Sequence, residues 1–145
     1  MRPVELDFVV IADGAQHRPD GKLDVYGAGF DTILATSVPA QHPRIVVALR
    51  VLISREEARG AHTADVILRP LGGDEVARAH AELGPVPEGA DTIPEDRLAG
   101  IGLVLAFNNV VFPKYGVYEF AVQWNGEDLR NPIRLFVAEA PVQES

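Results

Sequence analysis

At 145 residues, with 47% hydrophobic and 23% charged residues, the chain has the size and composition of one ordinary globular domain and too much apolar content for a disordered one. Its net charge of -8, with arginines scattered singly from Arg2 to Arg134, offers no basic patch for nucleic acid or an anionic membrane. The absence of cysteine removes disulfides, thiol catalysis and thiolate metal sites, and suits a reducing, cytoplasmic location.

The dominant period along the chain is two. Val4, Leu6, Phe8 and Val10 alternate with Glu5 and Asp7, the pattern of a half-buried strand; the same two acids interrupt any secretory leader. Lys22 to Leu34 forms a second run, broken at Gly27 and Gly29, where glycines inside a strand signal a bulge or a close backbone approach. Arg44 to Ser54 is apolar on both faces until Arg50, which predicts a central strand; its densest part, Ile45 to Leu49, is far too short to span a bilayer. Glu56 to Arg59 suits a single helical turn. His62 to Leu71 and Glu75 to Leu83 follow as strands joined through the Gly72-Gly73-Asp74 turn.

Gly84 to Gly100, with three prolines, three glycines and Glu88, Asp91, Glu95 and Asp96, reads as a long acidic loop and as the segment least protected from proteolysis. Ile101 to Phe112 is again apolar on both faces and reads as a second central strand. Tyr118, Phe120, Val122 and Trp124 alternate with polar neighbours up to an Asn125-Gly126 hairpin signal, and Ile133, Leu135 and Val137 complete the pattern. About eight short strands with turns between them, and no helix of three turns, predict a single all-β domain over 1–145. The expected form is a two-sheet antiparallel β-sandwich, either an immunoglobulin-like or a jelly-roll-like Greek key. Phe112-Pro113-Lys114-Tyr115-Gly116-Val117-Tyr118 suits the corner in which a strand-opening tyrosine bonds back to upstream backbone.

Asp13-Gly14-Ala15-Gln16, Gly21-Lys22-Leu23 and Tyr26-Gly27-Ala28-Gly29-Phe30-Asp31-Thr32-Ile33 together resemble the opening of an uncharacterised family of bacterial, actinobacterial-type all-β proteins. Pro39 to Pro43 and the Phe112 to Tyr118 turn extend the resemblance over most of the chain. Gly14 stands where the family has a small alanine, and Asp24 where it has an aromatic or apolar residue. The resemblance implies an all-β fold and brings no activity, since its motifs are turns, bulges and an aromatic anchor.

No residue set stands out as catalytic, cofactor-binding or metal-ligating. His17, His42, His62 and His80 share no metal-ligand spacing. Ser37, Ser54 and Ser145 lie in no nucleophile elbow. The acid pairs Glu56/Glu57, Glu95/Asp96 and Glu127/Asp128 lack the aromatic rim of a sugar cleft. Asp91 to Asp96 lacks a calcium-loop pattern, and Gly27-Ala28-Gly29 opens no helix to cradle a phosphate. These features point to a non-catalytic binding or assembly module without a cofactor, recognising an unidentified protein partner. The alternatives are a small hydrolase or metal-dependent enzyme using His17, His42, Asp91 and Asp96, and a phage- or virion-type structural subunit. Apolar residues at outward positions, namely Val9, Ile11, Val46, Leu52 and Phe136 beside Leu135 and Val137, predict a sheet-face patch and hence a homo-oligomer, most simply a dimer.

Overall fold

A computed structural model describes residues 4–85, 91–130 and 132–141. Among them the period-two segments form eleven strands: β1 (Val4–Ala12), β2 (Gly14–His17), β3 (Leu23–Tyr26), β4 (Thr32–Ala35), β5 (Ala40–Ile53), β6 (His62–Pro70), β7 (Ala77–Leu83), β8 (Ala99–Phe112), β9 (Gly116–Trp124), β10 (Glu127–Asp128) and β11 (Ile133–Glu139). One helical turn, α1 (Arg55–Ala58), follows β5; the Ser54 side chain caps it by accepting from the Glu57 amide at 3.2 Å. The strands make a three-stranded sheet, β1-β5-β8, a six-stranded sheet, β4-β11-β9-β6-β7 with β10 added to β9, and a small β2-β3 hairpin. Alternate residues from the two larger sheets meet in one core: Val47, Leu49 and Val51 of β5, Val66 and Leu68 of β6, and Phe120 of β9 are all fully buried. No helix among the described residues is long and apolar enough to cross a membrane.

The all-β sandwich is thus as the alternation predicts, with three refinements. The Lys22 to Leu34 run is two strands in different sheets: β3 pairs with β2, while β4 joins the six-stranded sheet. Gly27 and Gly29, both at positive φ, make the break between them. Secondly, β4 pairs with β11 in parallel; every other pair is antiparallel. Thirdly, β8 lies at the edge of its ladder instead of its centre. It is apolar on both faces because the β2-β3 hairpin packs on the outer one, against Val104 and Ala106.

The same hairpin dissolves the expected outward patch. Val46 and Ala48, on the face of β5 opposite the core, are fully buried beneath Ala15 and Val25 of the hairpin. Gly102 lets it settle: a Cβ there would lie 3.0 Å from the Leu23 side chain. In β1, a bulge between Leu6 and Phe8 shifts the register, so that Val9 and Ile11 turn into the main core and Phe8 and Val10 turn out. Leu135 and Val137 are core residues too. Of the expected patch only Phe136 remains a large exposed side chain, 45% exposed, on the opposite sheet.

The tyrosine corner is present. The buried Tyr118 hydroxyl donates to the Lys114 carbonyl at 2.7 Å and lies 3.2 Å from the Lys114 amide.

The acidic loop is shorter and better anchored than its composition implies. Residues 86–90 lie outside the described part. Beyond them Ile93 plugs the core at 7% exposure, Arg55 Nε donates to the Ile93 carbonyl at 2.6 Å, and Arg59 pairs with Asp91 at 3.1 Å. Ala99 and Gly100 already belong to β8.

Candidate functional site

One end of the sandwich collects α1, the ends of β5, β7 and β9, and the starts of β1, β6 and β8. Three clefts open there side by side. The first, of about 350 Å³, is walled almost wholly by apolar atoms of Ile53, Ala58, Leu83, Ile101 and Trp124, with His62 and two glycines completing it. The second, of about 570 Å³, is lined by Val4, Glu57, Trp124, Asn125, Glu127, Asp128 and Leu129. The third, of about 350 Å³, continues over His62, Thr63, Glu82 and Leu83. Trp124 is the wall shared by the first two.

A short polar chain fixes this wall. Asn125 Oδ1 accepts from the Thr63 amide at 2.9 Å, which leaves its Nδ2 to donate to His62 Nδ1 at 3.0 Å. With Nδ1 an acceptor, the His62 proton sits on Nε2 and is donated to the Glu57 carbonyl at 2.5 Å. The imidazole is thereby held against the indole, ring centroids 5.0 Å apart and planes 30° from parallel. Asn125 can serve because it opens the hairpin turn: Asn125 and Gly126 both take positive φ, the type I′ geometry anticipated from the Asn-Gly pair.

Trp124 is 5% exposed, and its Nε1–H has no hydrogen-bond partner, the one such buried side-chain polar atom among the described residues. Leaving a buried donor unmade costs about 1–3 kcal/mol, which the packing of the indole in the core offsets.

The residues singled out for chemistry are dispersed. His42, near the start of β5, lines clefts with Asp13, Ser37 and Phe112 at the far end of the sandwich. Asp91 pairs with Arg59 beside α1, beyond the other end of β5. At the usual rise per residue that strand alone separates them by about 35 Å. His17 closes the exposed end of β2, and Asp96 is an exposed loop residue. His80 Nδ1 donates to Asp65 Oδ1 at 2.7 Å on the outer face of the six-stranded sheet, and this bond to the Asp65 carboxylate raises the imidazole pKa. Among the described residues no three His, Asp or Glu side chains gather as a metal site. The residues that do converge, His62, Trp124 and Asn125, read in the sequence as a lone histidine, a strand aromatic and a turn. A single tryptophan directly before an Asn-Gly turn was the available signal.

The model of a family of unknown function (DUF6941) matches residues 7–138. The chain belongs to that family. Among the curated proteins none matches. Among solved structures, the C-terminal domain of Wzt is similar in fold, with a TM-score of 0.50 at 12% identity over 97% of this chain and 77% of that one. At that identity the likeness concerns the fold alone.

Proposed function

We propose that this chain is a non-catalytic binding module, a single domain over 1–145, whose recognition site is the Trp124 end of the sandwich. The observation that carries this is the cleft of about 350 Å³ walled almost wholly by apolar atoms of Ile53, Ala58, Leu83, Ile101 and Trp124. Concave apolar surfaces with a few placed polar groups are where small ligands and anchoring side chains bind. The wall is held rigid by the Asn125–His62–Glu57 chain, so the site is formed before anything enters it. The absence of cysteine and the net charge of -8 favour a cytoplasmic protein that acts without nucleic acid. Self-association, if it occurs on a sheet face, falls to the smaller apolar corner of Leu34 and Phe136, 60% and 45% exposed on neighbouring strands.

The chain holds one tryptophan, so its intrinsic emission reports on this site. Titration with N-methylhexanamide, an aliphatic chain ending in an acceptor carbonyl, should give a saturable change in emission. Leu83→Ala, which removes part of the cleft wall, should weaken binding by about tenfold. An emission that does not saturate, or that saturates equally in Leu83→Ala, overturns the proposal.

A further inference from the structure

We infer that β4 is a docking edge for a second copy of this chain, the two β4 strands pairing antiparallel about a two-fold axis. This goes beyond the proposed recognition site at the Trp124 end and does not depend on it. β4 is the last strand of the six-stranded sheet and pairs only with β11 among the described residues. The Asp31 carbonyl accepts from the Phe136 amide at 2.8 Å, and the Ala35 carbonyl from the Ala140 amide at 2.9 Å. Backbone direction alternates along a strand, so Asp31, Ile33 and Ala35 turn their polar groups to β11. Thr32 and Leu34 turn theirs to the other side, where no described residue bonds them. Clefts of about 350 and 380 Å³, lined by Ile33 and Leu34 together with His42 of β5, lie against β4 and leave space beside it.

Sheet edges are ordinarily blunted by charge, proline, a bulge or a covering element. Among the edges of the two large sheets, β1 carries Glu5, Asp7 and the bulge between Leu6 and Phe8, while β7 and β8 run beside each other. Thr32-Ile33-Leu34-Ala35 has none of these devices. Next to it the exposed Leu34 and Phe136 form an apolar corner on the outer face. Antiparallel pairing of two β4 strands sets Thr32 opposite the partner's Leu34 on either side of the axis, each such pair exchanging both of its N–H···O bonds. It also lays the two apolar corners side by side on one continuous sheet. The contact answers the open backbone and covers the corner at once, and the same surface serves both copies, as a closed two-fold dimer requires.

So short an edge buries little area, which makes the dimer a weak one, with a dissociation constant on the order of 100 µM. Sedimentation equilibrium up to about 1 mM should show the mass rising from 15.7 kDa toward twice that value. Thr32→Pro removes an amide that the β11 ladder does not use and should raise the dissociation constant about tenfold or more. A dimer held by sheet faces alone would not feel that loss. Amide hydrogen exchange of the parent needs no variant: protection of Thr32 and Leu34 should grow with protein concentration, while Ile33, bonded to β11, is protected throughout. Should Thr32→Pro fail to fold by far-ultraviolet circular dichroism, this exchange experiment decides. A monomer mass at about 1 mM, a dimer equally tight in folded Thr32→Pro, or Thr32 and Leu34 amides indifferent to concentration overturns the inference.

Discussion

On the outer face of the three-stranded sheet, Val46 and Ala48 are completely buried under Ala15 and Val25 of the β2-β3 hairpin. On the outer face of the six-stranded sheet, the equivalent layer is made of charge: Arg69 donates to Glu119 at 2.8 Å, and Asp65 is paired with His80 at 2.7 Å and lies 3.9 Å from Arg78. Ile67 and Ala121 face each other between these rows and are buried nonetheless, at 4% and 1% exposure. Arginine stems such as those of Arg69 and Arg78 cover apolar neighbours while their charged ends stay in water. A sheet face can thus be closed by a separate piece of chain or by its own long polar side chains. The first solution needs apolar residues on both sides of a strand, and the second keeps the ordinary alternation.

The sharpest way to break this comparison is to put the same charge on both faces. Val46→Asp places a carboxylate under the hairpin with no partner and should cost about 3 kcal/mol or more, enough to leave much of the chain unfolded. Phe136→Asp, on the six-stranded sheet, should change stability by no more than about 0.5 kcal/mol. Urea unfolding of both variants checks the pair; a Val46→Asp protein as stable as the parent would mean that the hairpin is no lid.

A smaller effect tests the charged layer. Arg69→Ala removes the partner of Glu119, whose side chain is only 13% exposed against 30% for Arg69. Because the pair is partly open to solvent, the expected loss is about 1 kcal/mol and not the several expected for a buried ion pair. Adding salt should weaken the parent toward the variant, visible in their denaturation midpoints.

The smallest effect is a pH dependence. The Asp65 carboxylate beside His80 raises the imidazole above its ordinary 6.5. This contact therefore favours the fold below the unfolded-state value and fades as pH rises through the higher folded-state value. Proton titration of the His80 ring by NMR should show the elevated midpoint, and Asp65→Asn should bring it down. An unchanged His80 midpoint in Asp65→Asn would assign the shift to another group.

The comparison also explains what could be read from the residues and what could not. Strands β5, β6, β8, β9 and β11, the Tyr118 corner and the Asn125-Gly126 turn follow from alternation and turn chemistry, which act over a few residues. Val46 looked like part of an outward patch because its cover comes from residues 15 and 25, about twenty to thirty positions away, and no local pattern reports such a contact. Val9 and Ile11 fall on the face opposite to the one that plain alternation predicts, because one extra residue at Asp7 inverts everything after it. Ile93 plugs the core from a segment whose prolines and acids spoke only for solvent. At the candidate site, Asn125 was legible as a turn residue, but its bond to His62, sixty-three positions earlier, was not. An unmatched N–H is invisible to sequence altogether, since every tryptophan has one and only the surroundings decide whether it is answered.

The parallel pairing of β4 with β11 has a consequence in time. Thr32 to Ala35 lies beside Phe136 to Glu139, about a hundred residues later in the chain, and the six-stranded sheet has no β4 until that late strand arrives. During synthesis β4 and the β9 edge that β11 will occupy wait together, with the backbones of Thr32 to Ala35 and of Gly116 to Phe120 without that partner strand. Folding should therefore be slow for a chain of this size, and the nascent protein is most open to mispairing just before residues 133–139 emerge.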